Sequence, residues 1–214
     1  MDYYKIIKNE IKEAFIENKI IITISFLIFF IPLIIAYIFV NDISHIFQPV
    51  VSELSEDIKQ GVIQINFETI FLNNVSILIK EYFMGVFLFV FSAFLLGYNG
   101  LFLGYYLGVS DNLARSLIFI IPHGIFEFFA IIISASGGFL LCIFILNLIY
   151  NIIYQENKNL SLKDRIYNSI EKNYLKFKHS LILFGISLIA MAIAGLIEVY
   201  ITPILGELIL VYLM

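Results

Sequence analysis

The run IPHGIFEFFAIIISASGGFLLCIFILNLIY, residues 121–150, decides how this chain is read. It is too apolar to face water, yet it carries Pro122, His123 and Glu127 near its start and the small-residue patch SASGG at 134–138. A histidine and a carboxylate four residues apart share one face of a helix. Counted at about 1.5 Å per residue, His123 falls near the middle of a bilayer and Glu127 toward its outer side. Ionisable side chains at that depth are costly and turn toward the bundle interior.

The rest of the composition agrees with a membrane setting. The chain is 61% hydrophobic and 14% charged, whereas soluble domains hold about 45–50% apolar and about 25% charged residues. An all-α, polytopic transmembrane bundle follows. The net charge of −4 is modest, and no basic patch is interleaved with aromatics, which argues against a nucleic-acid partner. Cys142 is the only cysteine and sits in an apolar run, so it reads as core filler rather than a reactive thiol.

Outward from the opening stretch, five spans are expected. Ile20–Val40 is about 20 residues, enough to cross the hydrocarbon. The others lie within Tyr82–Leu107, Leu113–Ser134, Gly138–Tyr154 and Leu181–Ile201, with SASGG read as the tight turn between the third and fourth. Residues 1–19 form a cytoplasmic amphipathic helix on Ile7, Ile11, Ala14 and Phe15, and no cleavable signal peptide is visible. Residues 20–214 form the transmembrane domain, with an outer amphipathic segment at 41–69 and an inner loop at 155–180. The outer segment carries Ile43, Ile46, Phe47, Val50, Leu54 and Ile58 at helical spacing beside Asp42, Glu53, Glu56 and Asp57. The inner loop pairs Ser161 with Asp164 as a cap. Pro203–Met214 extends the last helix or folds back as a half-helix.

Positive charge sets the expected orientation. With the N-terminus inside, Lys5, Lys8, Lys12, Lys19, Arg115, Lys158, Lys163, Arg165, Lys172, Lys176 and Lys178 fall on the cytoplasmic side, and only Lys59 and Lys80 do not. The C-terminus is then outside. His45 and His179 lie near membrane boundaries and read as solvated.

Several polar residues are expected to converge. Glu198, in AGLIEVYITP, reaches a depth similar to that of Glu127. Asn73 and Asn74 enter at the outer end of the second span, and Asn99 lies in its inner half. His123 and Glu127 should therefore face Glu198 and Asn74. One His and two carboxylates would suit zinc with water completing the shell, although no HExxH motif is present. Gly97, Gly100, Gly104 and Gly108 include three at four-residue spacing, the pattern for close helix contact.

Three blocks carry a resemblance. FLNNVSILIKEYFMGVFLFVFSAFLLGYNGLFLGYYLG, PHGIFEFFAIIISASGG and AGLIEVYITP, within residues 71–204, resemble in order and separation the signature blocks of the stage II sporulation protein M family. Carried over, the family's positions fall on Asn73, Asn74, Asn99, Gly100, His123, Gly124, Glu127, Glu198 and Pro203. The resemblance implies an integral membrane protein. Founding bacterial members of that family work as a membrane scaffold with a cell-wall lytic enzyme and a partner protein during forespore engulfment; that sporulation role does not transfer automatically.

Three classes of function remain open on sequence. The leading one is a non-enzymatic membrane scaffold or assembly factor, acting with the lipid bilayer, other envelope proteins or a second copy of itself. A membrane-embedded, metal-dependent hydrolase built on the His/Glu cluster is the alternative, and a transporter or permease-like module, which needs a polar path across both leaflets, is another.

Overall fold

The computed structural model describes residues 3–61, 66–86, 89–154 and 160–213, with the side chains at 54, 55, 58 and 210–213 outside that description. All regular structure among these residues is helical: α1 (Tyr3–Glu17), α2 (Lys19–Ile38), α3 (Val40–Lys59), α4 (Phe67–Met84), α5 (Val90–Gly108), α6 (Leu113–Tyr154), α7 (Leu162–Leu196), a π-helical segment (Ile197–Ile201) and α8 (Thr202–Leu213). Four stretches are long and apolar enough to cross a membrane: Lys19–Ile38, Val90–Gly108, Leu113–Tyr154 and Leu162–Ile209.

Helix α6 corrects the expectation of a turn at SASGG. It is 42 residues long without a break, about 63 Å at 1.5 Å per residue. Its residues 130–142 are all buried. Small side chains stand there because other helices press in on them. The Ser180 hydroxyl donates to the Gly137 carbonyl at 2.8 Å, Ser136 donates to Ser25 at 2.9 Å, and Ser134 donates to the Leu78 carbonyl at 2.9 Å. A Cβ on Gly138 would lie 2.7 Å from the Tyr82 carbonyl oxygen. In a membrane bundle such residues mark close backbone approach, and here that reading wins over the turn.

Helices α6 and α7 form a long antiparallel pair. Gly137 meets Ser180, Leu148 accepts from Ser169 at 3.2 Å, and Ile152 accepts from Arg165 at 3.3 Å. The inner loop expected at 155–180 is therefore mostly the first half of α7, capped by Ser161, whose hydroxyl accepts from the Asp164 amide. Lys158, counted with that loop, lies outside the described residues.

Helices α2 and α5 run in the same direction, with Gly100 on Phe29, Gly104 on Leu33 and Gly108 on Tyr37. The chain must come back between them, and α4 does so. Its N-terminal Phe67 packs on Gly195, and its C-terminal Tyr82 reaches Ser180. Asn73, Asn74, Lys80 and Glu81 keep α4 from looking like a span. The expected second span, Tyr82–Leu107, thus belongs to the end of α4 and to α5. This also corrects the placement of Arg115. It follows α5, at the opposite end of the bundle from α1 and the start of α2, while Lys80 joins the α1 end.

The segment expected to be amphipathic between the first two spans is α3, and its stripe meets the bundle through Phe47, buried among Tyr98, Phe102 and Tyr105. Leu54 and Ile58, which complete that stripe, lie outside the described side chains. At the C-terminus the chain does not fold back. The π segment and α8 continue α7, as far as Leu213; Met214 is outside the description.

Candidate functional site

Two prolines flank the site. Pro122 lies inside α6 and Pro203 lies inside α8. A proline has no N–H to give to the carbonyl four residues back and crowds it. Before Pro203 the chain widens into the π segment Ile197–Ile201, which contains Glu198. Such wide turns inside helices recur at functional positions. Each proline neighbours a polar pair: His123 and Glu127 share one face of α6, and Glu198 and Thr202 stand at either end of the widened turn.

These two faces meet. One ligand atom from each of His123, Glu127 and Glu198 lies within 4.8 Å of the others. His123 Nδ1 is 3.2 Å from Thr202 Oγ1. The group opens onto a cavity of about 410 Å³, which Asn99, Phe102, Tyr106 and Phe128 also line. No lysine or arginine is among the lining residues.

Asn99 joins this cavity to a second buried acid. Its Nδ2 donates to Glu81 Oε1 at 3.0 Å and to the Leu95 carbonyl at 3.0 Å. Glu81 is fully buried, and its Oε2 has no partner among the described residues. Glu81 does not stand out in the sequence, because Lys80-Glu81 looks like the polar flank of a span. Thr202 does not stand out either; its contact with His123 exists only where α6 and α8 lie side by side.

The other expected positions scatter. Asn74 is buried on α4 but does not line the cavity, and Asn73 is exposed, so neither faces His123 or Glu127. Gly124 packs against Phe128 and Ile120 of its own helix. Gly97, Gly100, Gly104 and Gly108 lie on the α2 contact.

His179 is a correction. It is 0% exposed rather than solvated. Asn18 donates to its Nδ1 at 3.0 Å and to the Ala14 carbonyl at 2.8 Å, and Lys176 donates to Asn18 Oδ1 at 3.3 Å. With Glu10 and Glu13, His179 makes a second cluster of possible ligands. There, however, Lys178 already pairs with Glu10. His45 is exposed, as expected.

The sequence pattern of stage II sporulation protein M matches residues 25–203. The chain belongs to the stage II sporulation protein M family. Two relatives are uncharacterized proteins of Methanocaldococcus jannaschii. One is 31% identical over 204 residues, covering 90% of this chain and 86% of the relative. The other is 32% identical over 190 residues, covering 86% of this chain and 95% of the relative. No solved structure matches. Family membership and the apolar helices together make this a multi-pass membrane protein.

Proposed function

We propose that this stage II sporulation protein M family member is a membrane scaffold that docks partner proteins on the projecting end of the α6–α7 pair. The observation that carries this reading is the overshoot of that pair. Ser25 of α2 meets Ser136 of α6, which sets Lys19 at about the level of residue 142. Residues 143–154 then extend about 18 Å further at 1.5 Å per residue. This projecting end exposes Ile149, Tyr150, Ile153, Tyr154, Tyr167 and Tyr174. Exposed contiguous apolar and aromatic surface is the usual mark of an interaction site, and tyrosine is favoured in interface cores.

The charge balance supports an orientation for this end. Lys5, Lys8, Lys12, Lys19, Lys80, Lys163, Arg165, Lys172, Lys176 and Lys178 gather there. By the positive-inside rule that end is cytoplasmic. The N-terminus is then cytoplasmic, and after five crossings the C-terminus is outside.

The test is a photo-crosslinking residue placed at Tyr150 or Tyr167 of the full chain in its own host membrane. A discrete protein adduct, lost when Tyr154→Glu and Tyr174→Glu are added, is expected. Adducts to lipid alone would overturn the docking role, and an adduct at twice the chain mass would make the partner a second copy.

A further inference from the structure

We propose that His123, Glu127 and Glu198 bind one divalent transition-metal ion, zinc best of all, with Thr202 positioning the imidazole. The site is independent of the docking surface above, lying at the other end of the bundle.

Charge is the first reason. Two half-buried carboxylates face one another within 4.8 Å, where like charges repel more strongly than in water. The residues around them supply no lysine or arginine. The Glu10–Glu13–His179 cluster is the internal comparison. There, Lys178 pairs with Glu10 and Lys176 with Asn18, the histidine's partner, so positive charge is already in place. At the cavity none of the described lining residues supplies it, which leaves a metal or protons to do so.

Donor chemistry is the second reason. One imidazole nitrogen and two carboxylate oxygens, with a water, make a four-coordinate zinc shell of the kind that keeps an open position. Calcium prefers six to eight oxygens, which this set does not offer, while imidazole suits zinc, copper, iron and nickel. Bonds of about 2.0–2.1 Å put tetrahedral ligands about 3.3 Å apart. Ligand atoms within 4.8 Å need only small side-chain rotations to close on an ion.

Support from behind the ligands is the third. The tautomer in which His123 Nδ1–H donates to Thr202 Oγ1 leaves the Nε2 lone pair free for a metal. Orienting hydrogen bonds of this kind are standard behind metal-bound histidines. The cavity of about 410 Å³ is ample for the water that completes the shell. The π segment, which interrupts the helix at Glu198, gives that residue a backbone setting found often at functional sites.

The experiment uses the full chain, purified in detergent, stripped with a chelator and titrated with zinc alone. Metal analysis should return about one zinc per chain, lost in His123→Ala, Glu127→Gln and Glu198→Gln and kept in Glu13→Gln, which disables the second cluster. Thr202→Val should weaken binding about tenfold or more without abolishing it. Zinc should raise the melting temperature of the wild type but not of Glu127→Gln. X-ray absorption on the wild type covers the case in which a variant fails to fold, and there a nitrogen/oxygen shell with one imidazole is expected. Unchanged zinc in Glu127→Gln and Glu198→Gln, no zinc in the wild type, or a shell containing sulfur would overturn the site. A wild type without zinc would mean that protons alone neutralise the pair.

Discussion

Asn99 donates from one amide nitrogen to Glu81 Oε1 at 3.0 Å while lining the cavity that holds His123, Glu127 and Glu198. A single side chain therefore separates the buried acid of α4 from the polar cluster. Glu81 depends on this bond, since its other oxygen has no partner among the described residues. Asn99→Leu should destabilise the protein by about 1–3 kcal/mol, the cost of leaving a buried polar group unsatisfied. Glu81→Gln keeps an oxygen to accept from Asn99 and removes any charge, so it should change stability by less than about 1 kcal/mol. Thermal unfolding in detergent measures both. Equal losses in the two variants would mean that the Asn99 bond does not hold Glu81.

The glycines of α5 are not equivalent. A Cβ on Gly100 would run into the Phe29 carbonyl oxygen and one on Gly104 into that of Leu33, whereas one on Gly97 would have nothing closer than 3.7 Å. Gly100→Ala and Gly104→Ala should each cost about 1–3 kcal/mol by overpacking. Gly97→Ala should be neutral or slightly stabilising, because alanine favours the helix. The same unfolding assay separates them. A Gly97→Ala variant as unstable as Gly100→Ala would disprove the α2–α5 contact described here.

Asp111 and Lys163 fall at opposite ends of the bundle, because α5 runs with α2 and α6 crosses back. The five spans expected from sequence put both on one side. Asp111→Cys and Lys163→Cys, both at exposed positions, should therefore react with a membrane-impermeant thiol reagent from opposite faces. With the lysine-rich end cytoplasmic, residue 111 labels in intact cells and residue 163 only after permeabilisation. Cys142 is buried and should not interfere. Labelling of both from one side would restore a turn near Gly138.

What the sequence made legible, and what it hid, follows from this topology. Membrane class, the first span and the shared face of His123 and Glu127 could be read because hydropathy and four-residue spacing are local properties. Glu198 is matched to them by depth alone, and its face happens to turn their way. The continuous α6 could not. Gly137 and Gly138 are ambiguous by themselves, and only the backbones of α4 and α7 lying against them turn a turn signal into a packing signal. Helix α4 was hidden for a related reason. Asn74 and Glu81 make it look polar, yet both are buried against neighbours that the sequence does not identify. Asn74 itself was assigned to the cluster from depth alone, and depth does not fix which way a helix face points.

Asn18, just after α1, hydrogen-bonds His179 of α7, beside the apolar packing of Ala14 on Leu183. Asn18→Ala removes the donors to His179 and the Ala14 carbonyl, and leaves Lys176 without that acceptor. A loss of about 1–3 kcal/mol is expected, concentrated on α1. Limited proteolysis should then cut near residues 10–18 before any other described segment. Unchanged protease resistance would mean that the Glu10–Lys178 pair and apolar packing hold α1 without Asn18.

Pro203 offers the most direct control over the cavity. Replacing it with alanine restores a backbone N–H and removes the ring from the turn before it. The π segment Ile197–Ile201 is then free to tighten toward an ordinary α-helix. Each residue of a helix is turned about 100° from the last, so a change in turn size swings Glu198 relative to Thr202. Pro203→Ala should accordingly leave the fold intact, with stability unchanged or higher, while His123 loses its 3.2 Å partner at Thr202. Nitrogen NMR of histidine-labelled protein follows the His123 ring directly, with His123→Gln assigning the signal. The expected result is a shift of that signal toward free imidazole in Pro203→Ala and in Thr202→Val alike. If Thr202→Val shifts it and Pro203→Ala does not, the widened turn is maintained by packing against α6 rather than by the proline.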